Sequence, residues 1–190
     1  MKVPRPDTNG ENRNQMPGTR EDNLRHSFVA LDDFPVNLKA ALGYWQSLGG
    51  ERLSCAWRDF ELVEIPAEVL PSTLVIDVFD DQSQNRFRYW GSAMTELHGR
   101  DMTGMSPYEI NPADMVPELR RQHDETRRSG KASASCYAFQ RDPGFEHIHY
   151  ALRLPLSDDG RNVSQIVVVT ESIEAEADDG AVAPRTFGPL

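Results

Sequence analysis

An α+β domain built on an antiparallel sheet is the fold class that this sequence predicts, and three observations carry the prediction. Leu38, Ala41, Leu42, Trp45 and Leu48 recur at three- and four-residue spacing, the stripe of an amphipathic helix. Leu74-Val-Ile-Asp-Val-Phe and Arg86-Phe-Arg-Tyr-Trp are rich in β-branched and aromatic residues and flank the polar connection Asp80-Asp-Gln-Ser-Gln-Asn, as in a hairpin. Three more strand-like runs, 132–141, 147–156 and 163–172, are separated by Asp142-Pro-Gly and Ser157-Asp-Asp-Gly. Helices and strands are thus grouped rather than alternating.

Taken in order, Gly49-Gly50 stops the first helix. Ser92 to His98 forms a short helix ended by Gly99, and Asn111 caps another with Pro112 at its first position. Pro117 either kinks that helix or restarts it, because proline lacks an amide donor. Leu119 to Ser129 is helical and ends at Gly130. In the 147–156 strand, Ile148, Tyr150, Leu152, Leu154 and Leu156 share one face and His147, His149 and Arg153 the other, the pattern of a sheet with one buried side. Residues 1–24 are Pro-, Gly-, Asn- and Arg-rich and are expected to form a disordered tail. The domain is expected over 36–172, followed by an acidic flexible tail at 173–190.

The 190 residues include 30 Asp plus Glu against 20 Lys plus Arg and are 38% hydrophobic, which suits one domain with a net charge of -10. That charge argues against nucleic-acid partners and acidic membranes, whose affinity comes from clustered cations. No apolar run approaches the roughly 20 residues of a membrane span, and the first ten residues lack a signal-like apolar core, so cytoplasmic residence is expected. Cys55 and Cys136 stand far apart with no ligand-spaced neighbours, as reduced thiols.

The order of elements, together with Tyr44-Trp-Gln-Ser-Leu, Trp57-Arg-Asp-Phe-Glu, Ile65-Pro, Leu70-Pro, Leu74-Val-Ile-Asp-Val, Arg86-Phe-Arg-Tyr, Gly99-Arg-Asp-Met-Thr-Gly and Leu154-Pro-Leu-Ser-Asp-Asp-Gly, resembles a bacterial, mostly alphaproteobacterial, family of PAS domains over residues 38–172. The sequence departs from the family pattern at Ser54, Ser92 and Trp90. The resemblance implies a five-stranded antiparallel sheet, short helices on one face, an N-terminal flanking helix and a cavity able to hold a small ligand. It also implies a non-catalytic sensory module that signals through protein–protein contacts, as a homodimer or with an unidentified signalling protein. The alternative is a ligand-free docking or dimerisation module.

The cavity is expected between the sheet and the helices, lined by some of Tyr89, Met94, Leu97, Tyr108, Met115, Leu119, His123, Tyr137, Phe139 and Tyr150. His123 could serve a haem as axial ligand, as the resemblance implies for haem-binding members. Its charged neighbours Arg120, Arg121, Asp124 and Glu125 favour a surface or half-buried histidine instead. No cysteine stands in the motif that flavin photosensory relatives require for an adduct, and His147 with His149 lacks further metal ligands. Cys136 is expected to be a small buried side chain, and Arg58 with Asp59 a buried pair. In the Gly99–Gly104 loop, Asp101 and Thr103 can cap amides and Arg100 can pair with an acid in the core wall. No nucleophile triad, zinc-protease motif or nucleotide loop is present, so no enzyme is expected. The Trp45 stripe is either a dimer contact or the helix's seat on its own sheet.

Overall fold

The computed structural model describes residues 24–27, 34–53, 55–111, 113–142 and 145–176. Its strands are β1 (Leu24–Ser27), β2 (Thr73–Asp77), β3 (Arg86–Trp90), β4 (Ser133–Asp142), β5 (Phe145–Leu156) and β6 (Gln165–Glu176). Its longer helices are α1 (Val36–Ser47), α2 (Ser92–His98) and α3 (Val116–Ser129). All strand pairs are antiparallel, and the sheet runs β1-β4-β5-β6-β2-β3. The five expected strands are therefore present as one antiparallel sheet, and β1 lengthens it at the β4 edge. The sequence reading has no strand before residue 36.

Alternation along the strands divides the apolar residues between two faces. On one face, Val75, Cys136, Leu152, Leu154 and Val167 pack against Phe34, Leu38, Ala41, Leu42 and Trp45 of the α1 segment. Each such valine, leucine or phenylalanine side chain taken out of water contributes about 1.5–3 kcal/mol. The Trp45 indole is 2% exposed and donates from Nε1 to the Pro155 carbonyl at 2.8 Å. This corrects the dimer-contact reading of the Trp45 stripe: the chain's own sheet covers it. Gly49 at φ 83° closes α1, and Gly50 lies flat against the indole, where a Cβ would come within 2.1 Å of Trp45 Cε2.

Four single turns of 3-10 helix, at Gly50–Arg52, Trp57–Asp59, Leu62–Glu64 and Leu70–Ser72, carry the chain from α1 to β2 and drop Cys55, Phe60, Ile65 and Val69 into the same core. Arg58 and Asp59 do not form the buried pair expected of them. They are 3.8 Å apart with both side chains largely in water, because the turn that holds them faces outward. Among the described residues Arg100 likewise reaches no acid. It donates to the Glu109 carbonyl at 3.1 Å on the surface, while Asp101 caps the Thr103 amide at 2.8 Å as anticipated.

On the opposite face, Leu74, Ile76, Phe87, Trp90, Ala151, Ile166 and Val168 pack with Met94 of α2 and Met102. Gly99 at φ 72° ends α2 and Gly130 at φ 63° ends α3, both in the left-handed region that favours glycine. Pro117 falls in the first turn of α3, where its missing amide has no helical partner to lose, so it starts the helix rather than kinking it. Sheet with α2 and α3 on one side and α1 on the other is the α+β architecture that the sequence predicts.

Candidate functional site

α3 is seated on the sheet unlike α1. Its buried residues are Gln122, His123 and Thr126, all polar, whereas those of α1 are Leu38, Ala41, Leu42 and Trp45. Beneath α3, strand β5 presents Arg153 on the face opposite Leu152 and Leu154, and the guanidinium is 2% exposed. This corrects the one-sided reading of β5. The polar side of the strand is covered by a helix, not by solvent, at this position.

Arg153 Nη1 donates to Ser135 Oγ at 2.9 Å, and Nη2 makes a short hydrogen bond to Gln122 Oε1. Gln122 in turn donates from Nε2 to Glu118 Oε1 at 2.7 Å, and Glu118 pairs with Arg121 on the surface of α3. Thr126 bridges the same helix to β4, its hydroxyl 2.8 Å from Ser133 Oγ and bonded to the Gln122 carbonyl. A chain of polar contacts thus runs from the middle of the sheet through Gln122 to the outer face of α3. Among the described residues no carboxylate lies within ion-pair distance of Arg153.

His123 stands beside this arginine at 5% exposure, not on the surface as its charged neighbours suggest. Burial, and then the Arg153 charge, push its pKa down to about 3, so the ring is neutral near pH 7. Its face meets Tyr108 at a centroid distance of 6.0 Å, and Arg120 lies 3.8 Å over the other ring contact, the Tyr108 phenol. The Tyr108 hydroxyl accepts from Asn85 Nδ2 at 3.0 Å, and burial raises its pKa. Among the described residues, four buried polar atoms on the α3 side have no hydrogen-bond partner: Arg153 Nε, His123 Nδ1, Trp90 Nε1 and Arg127 Nε. Such atoms are costly in a closed interior and mark where a further group can bind.

Of the residues expected to line a cavity, Tyr108 and His123 meet on the α3 side, Met94 packs with Trp90 on the same face of the sheet, and Met115 and Leu119 are half-buried at the start of α3. Tyr89 and Tyr150 fall on the opposite face, Tyr150 edge-on to Phe34 at 5.6 Å. Leu97 is 63% exposed. Tyr137 and Phe139 on β4 pair in register with His149 and His147 on β5, and their side chains lie outside the described residues, as does that of His147. His149 is half-buried and 2.8 Å from Ser172 Oγ; burial lowers its pKa to about 4.

Arg153, Gln122, Ser135, Thr126 and Asn85 are the members that sequence reasoning missed. A signal for two of them was present. Ser133 and Ser135 alternate with alanines on β4, and a run of basic and imidazole side chains alternates on β5 with no acid between them. Cys136 and Cys55 are both buried in the α1-side core, so neither thiol is on the α3 side of the sheet. Around His123 stand the Arg153 guanidinium, whose charge helps to lower its pKa, and the Tyr108 ring.

No protein-family model and no curated protein matches the chain. Solved structures give weak likenesses. A light-oxygen-voltage domain studied with a flavin analogue is 14% identical over 53% of this chain and 76% of its own, with a TM-score of 0.39. The light state of the blue-light photoreceptor Aureochrome1 LOV is 14% identical over 60% of this chain and 90% of its own, at 0.38. An RNA-binding light-oxygen-voltage receptor is 14% identical over 78% of this chain and 38% of its own, at 0.41. Likenesses this low carry no argument about family or activity, and the fold assignment rests on the strand order, the register and the two cores described above.

Proposed function

We propose that this domain is a PAS-type sensory or regulatory module, without catalysis of its own, that takes a small ligand between the sheet and α3. The change in α3 then passes to a homodimer partner or to another signalling protein. The observation that supports this reading is the polar seat of α3: a buried guanidinium whose Nε–H has no acceptor lies under a helix that buries Gln122, His123 and Thr126. Apolar burial makes up most of a helix's attachment to its domain, and α3 is short of it. A ligand that bonds only to one position of the helix shifts the population toward that position.

Native mass spectrometry of the protein after gentle purification tests the reading. The expected result is a bound small molecule, displaced on unfolding, together with a change in hydrogen exchange across α3 when it is removed. A protein of bare polypeptide mass whose α3 responds to no metabolite, but which still captures a partner through its surface, would instead favour the docking module.

A further inference from the structure

The register of the sheet aligns one row of side chains across five strands on the α3 face: Ser133, Arg153, Val168, Leu74 and Trp90, each paired with the next. A cation stands near one end of the row, two aliphatic residues in the middle and an indole at the other end. Neighbouring strands are about 4.8 Å apart, so Arg153 and Trp90 are separated by about 14 Å, the length of a small amphiphilic molecule.

We propose that the site under α3 recognises a small organic acid, its carboxylate held by Arg153 and His123 and its apolar body lying along Val168 and Leu74 towards Trp90. This rests on the sensory reading above and names the ligand class for it. Arg153 uses two of its guanidinium donors within the protein, on Ser135 and Gln122, and its Nε–H is buried with no acceptor. A guanidinium stays charged wherever it is placed, so a buried one calls for an anion, and a carboxylate accepts from it in short, directional hydrogen bonds. His123 Nδ1 is the second open position, on a neutral ring that can carry its proton there.

The apolar half of the row argues for an organic acid over an inorganic anion. Val168 and Leu74 are buried with Trp90 and Met94 in one cluster, and a hydrated phosphate or chloride would gain nothing from them. Arg153 lies beneath α3 at 2% exposure, so an acid reaches it only when the helix lifts. Once bound, the acid supplies the counter-charge that Glu118 now delivers only through the Gln122 amide.

Thermal melting of the full chain with phenylacetate or octanoate, with uncharged phenylacetamide, and with inorganic phosphate and chloride tests this. A carboxylate at about a hundred times its Kd should raise Tm by about 5 °C or more. The amide and the inorganic anions should leave Tm unchanged, and Arg153→Met should abolish the shift. An equal shift with phenylacetamide, a shift with phosphate alone, or a shift kept in Arg153→Met would overturn the inference. If Arg153→Met does not fold, the acid and amide pair on the unaltered protein decides the matter. If no acid acts but native mass spectrometry finds a neutral molecule, the organic-acid inference fails and the sensory reading stands; if neither is found, both fail.

Discussion

Holding the Arg153 guanidinium at 2% exposure, with neutral Ser135 and Gln122 as its acceptors, forfeits hydration worth several kcal/mol that these two hydrogen bonds return only in part. In the ligand-free protein, Arg153→Met is therefore expected to change stability by no more than about 2 kcal/mol, because the desolvation it relieves offsets the Gln122 Oε1 and Ser135 Oγ acceptors it leaves without a donor. Urea unfolding checks this, and a loss beyond about 2 kcal/mol would make the arginine a structural clamp. His123 makes a second expectation at the same scale. In the fold its pKa is lowered to about 3, whereas the unfolded ring protonates near the ordinary histidine value of 6.5. Between those values the unfolded state binds more protons, so stability is full above pH 6.5 and falls as the pH is lowered. The slope for this group approaches about 1.4 kcal/mol per pH unit. His149 acts in the same direction down to about pH 4. Urea midpoints from pH 7 to pH 4.5 should fall less steeply in His123→Phe; an unchanged slope would mean that the ring is not buried neutral. Cys55, its pKa pushed up to about 11 by burial, should resist thiol reagents at pH 8 until the protein unfolds.

At the level of elements, α1 and α3 represent opposite ways of fixing a helix. α1 inserts Trp45 between the sheet and Gly50, so Trp45→Ala should cost about 3–5 kcal/mol in urea unfolding, and Gly50→Ala should cost about 1–3 kcal/mol by forcing a Cβ into the indole. Retention of full stability in either would place α1 away from the sheet. The ends of all three helices were legible in the sequence because glycines 49, 99 and 130 act locally, through positive φ at the next turn. The side that each helix covers was not legible, since that depends on chain many residues away. The stripe of α1 reads equally as an outward or an inward face, and the polar side of β5 reads as solvent-facing until α3 is laid over it. The four single turns between residues 50 and 72 have no periodic pattern to betray them, although their apolar residues Phe60, Ile65 and Val69 anchor the α1-side core.

Seen as a whole, the molecule is a sheet with one apolar face sealed by α1 and one mixed face under α2 and α3. β1 pairs along β4 from Ser27 opposite Cys136 to Leu24 opposite Phe139, so it covers an edge that otherwise presents unpaired amides and carbonyls. Deletion of residues 1–27 is therefore expected to give concentration-dependent self-association in gel filtration, and an unaltered elution profile would show that β1 is dispensable. Among the described residues no helix is long and apolar enough to cross a membrane. The fold class and most strands could be read from residue periodicity alone, whereas the candidate site could not. Arg153, Gln122 and Ser135 lie on three different elements, and only the sheet register together with the α3 crossing brings them within hydrogen-bond reach.

The central claim, that α3 rests on a polar seat and is held less firmly than α1, is tested most directly by native-state hydrogen exchange at low denaturant. Amides 120–129 of α3 should open at a free energy well below that of amides 40–47 of α1, which should exchange only with global unfolding. Equal protection of the two helices, through the same global opening, would contradict it.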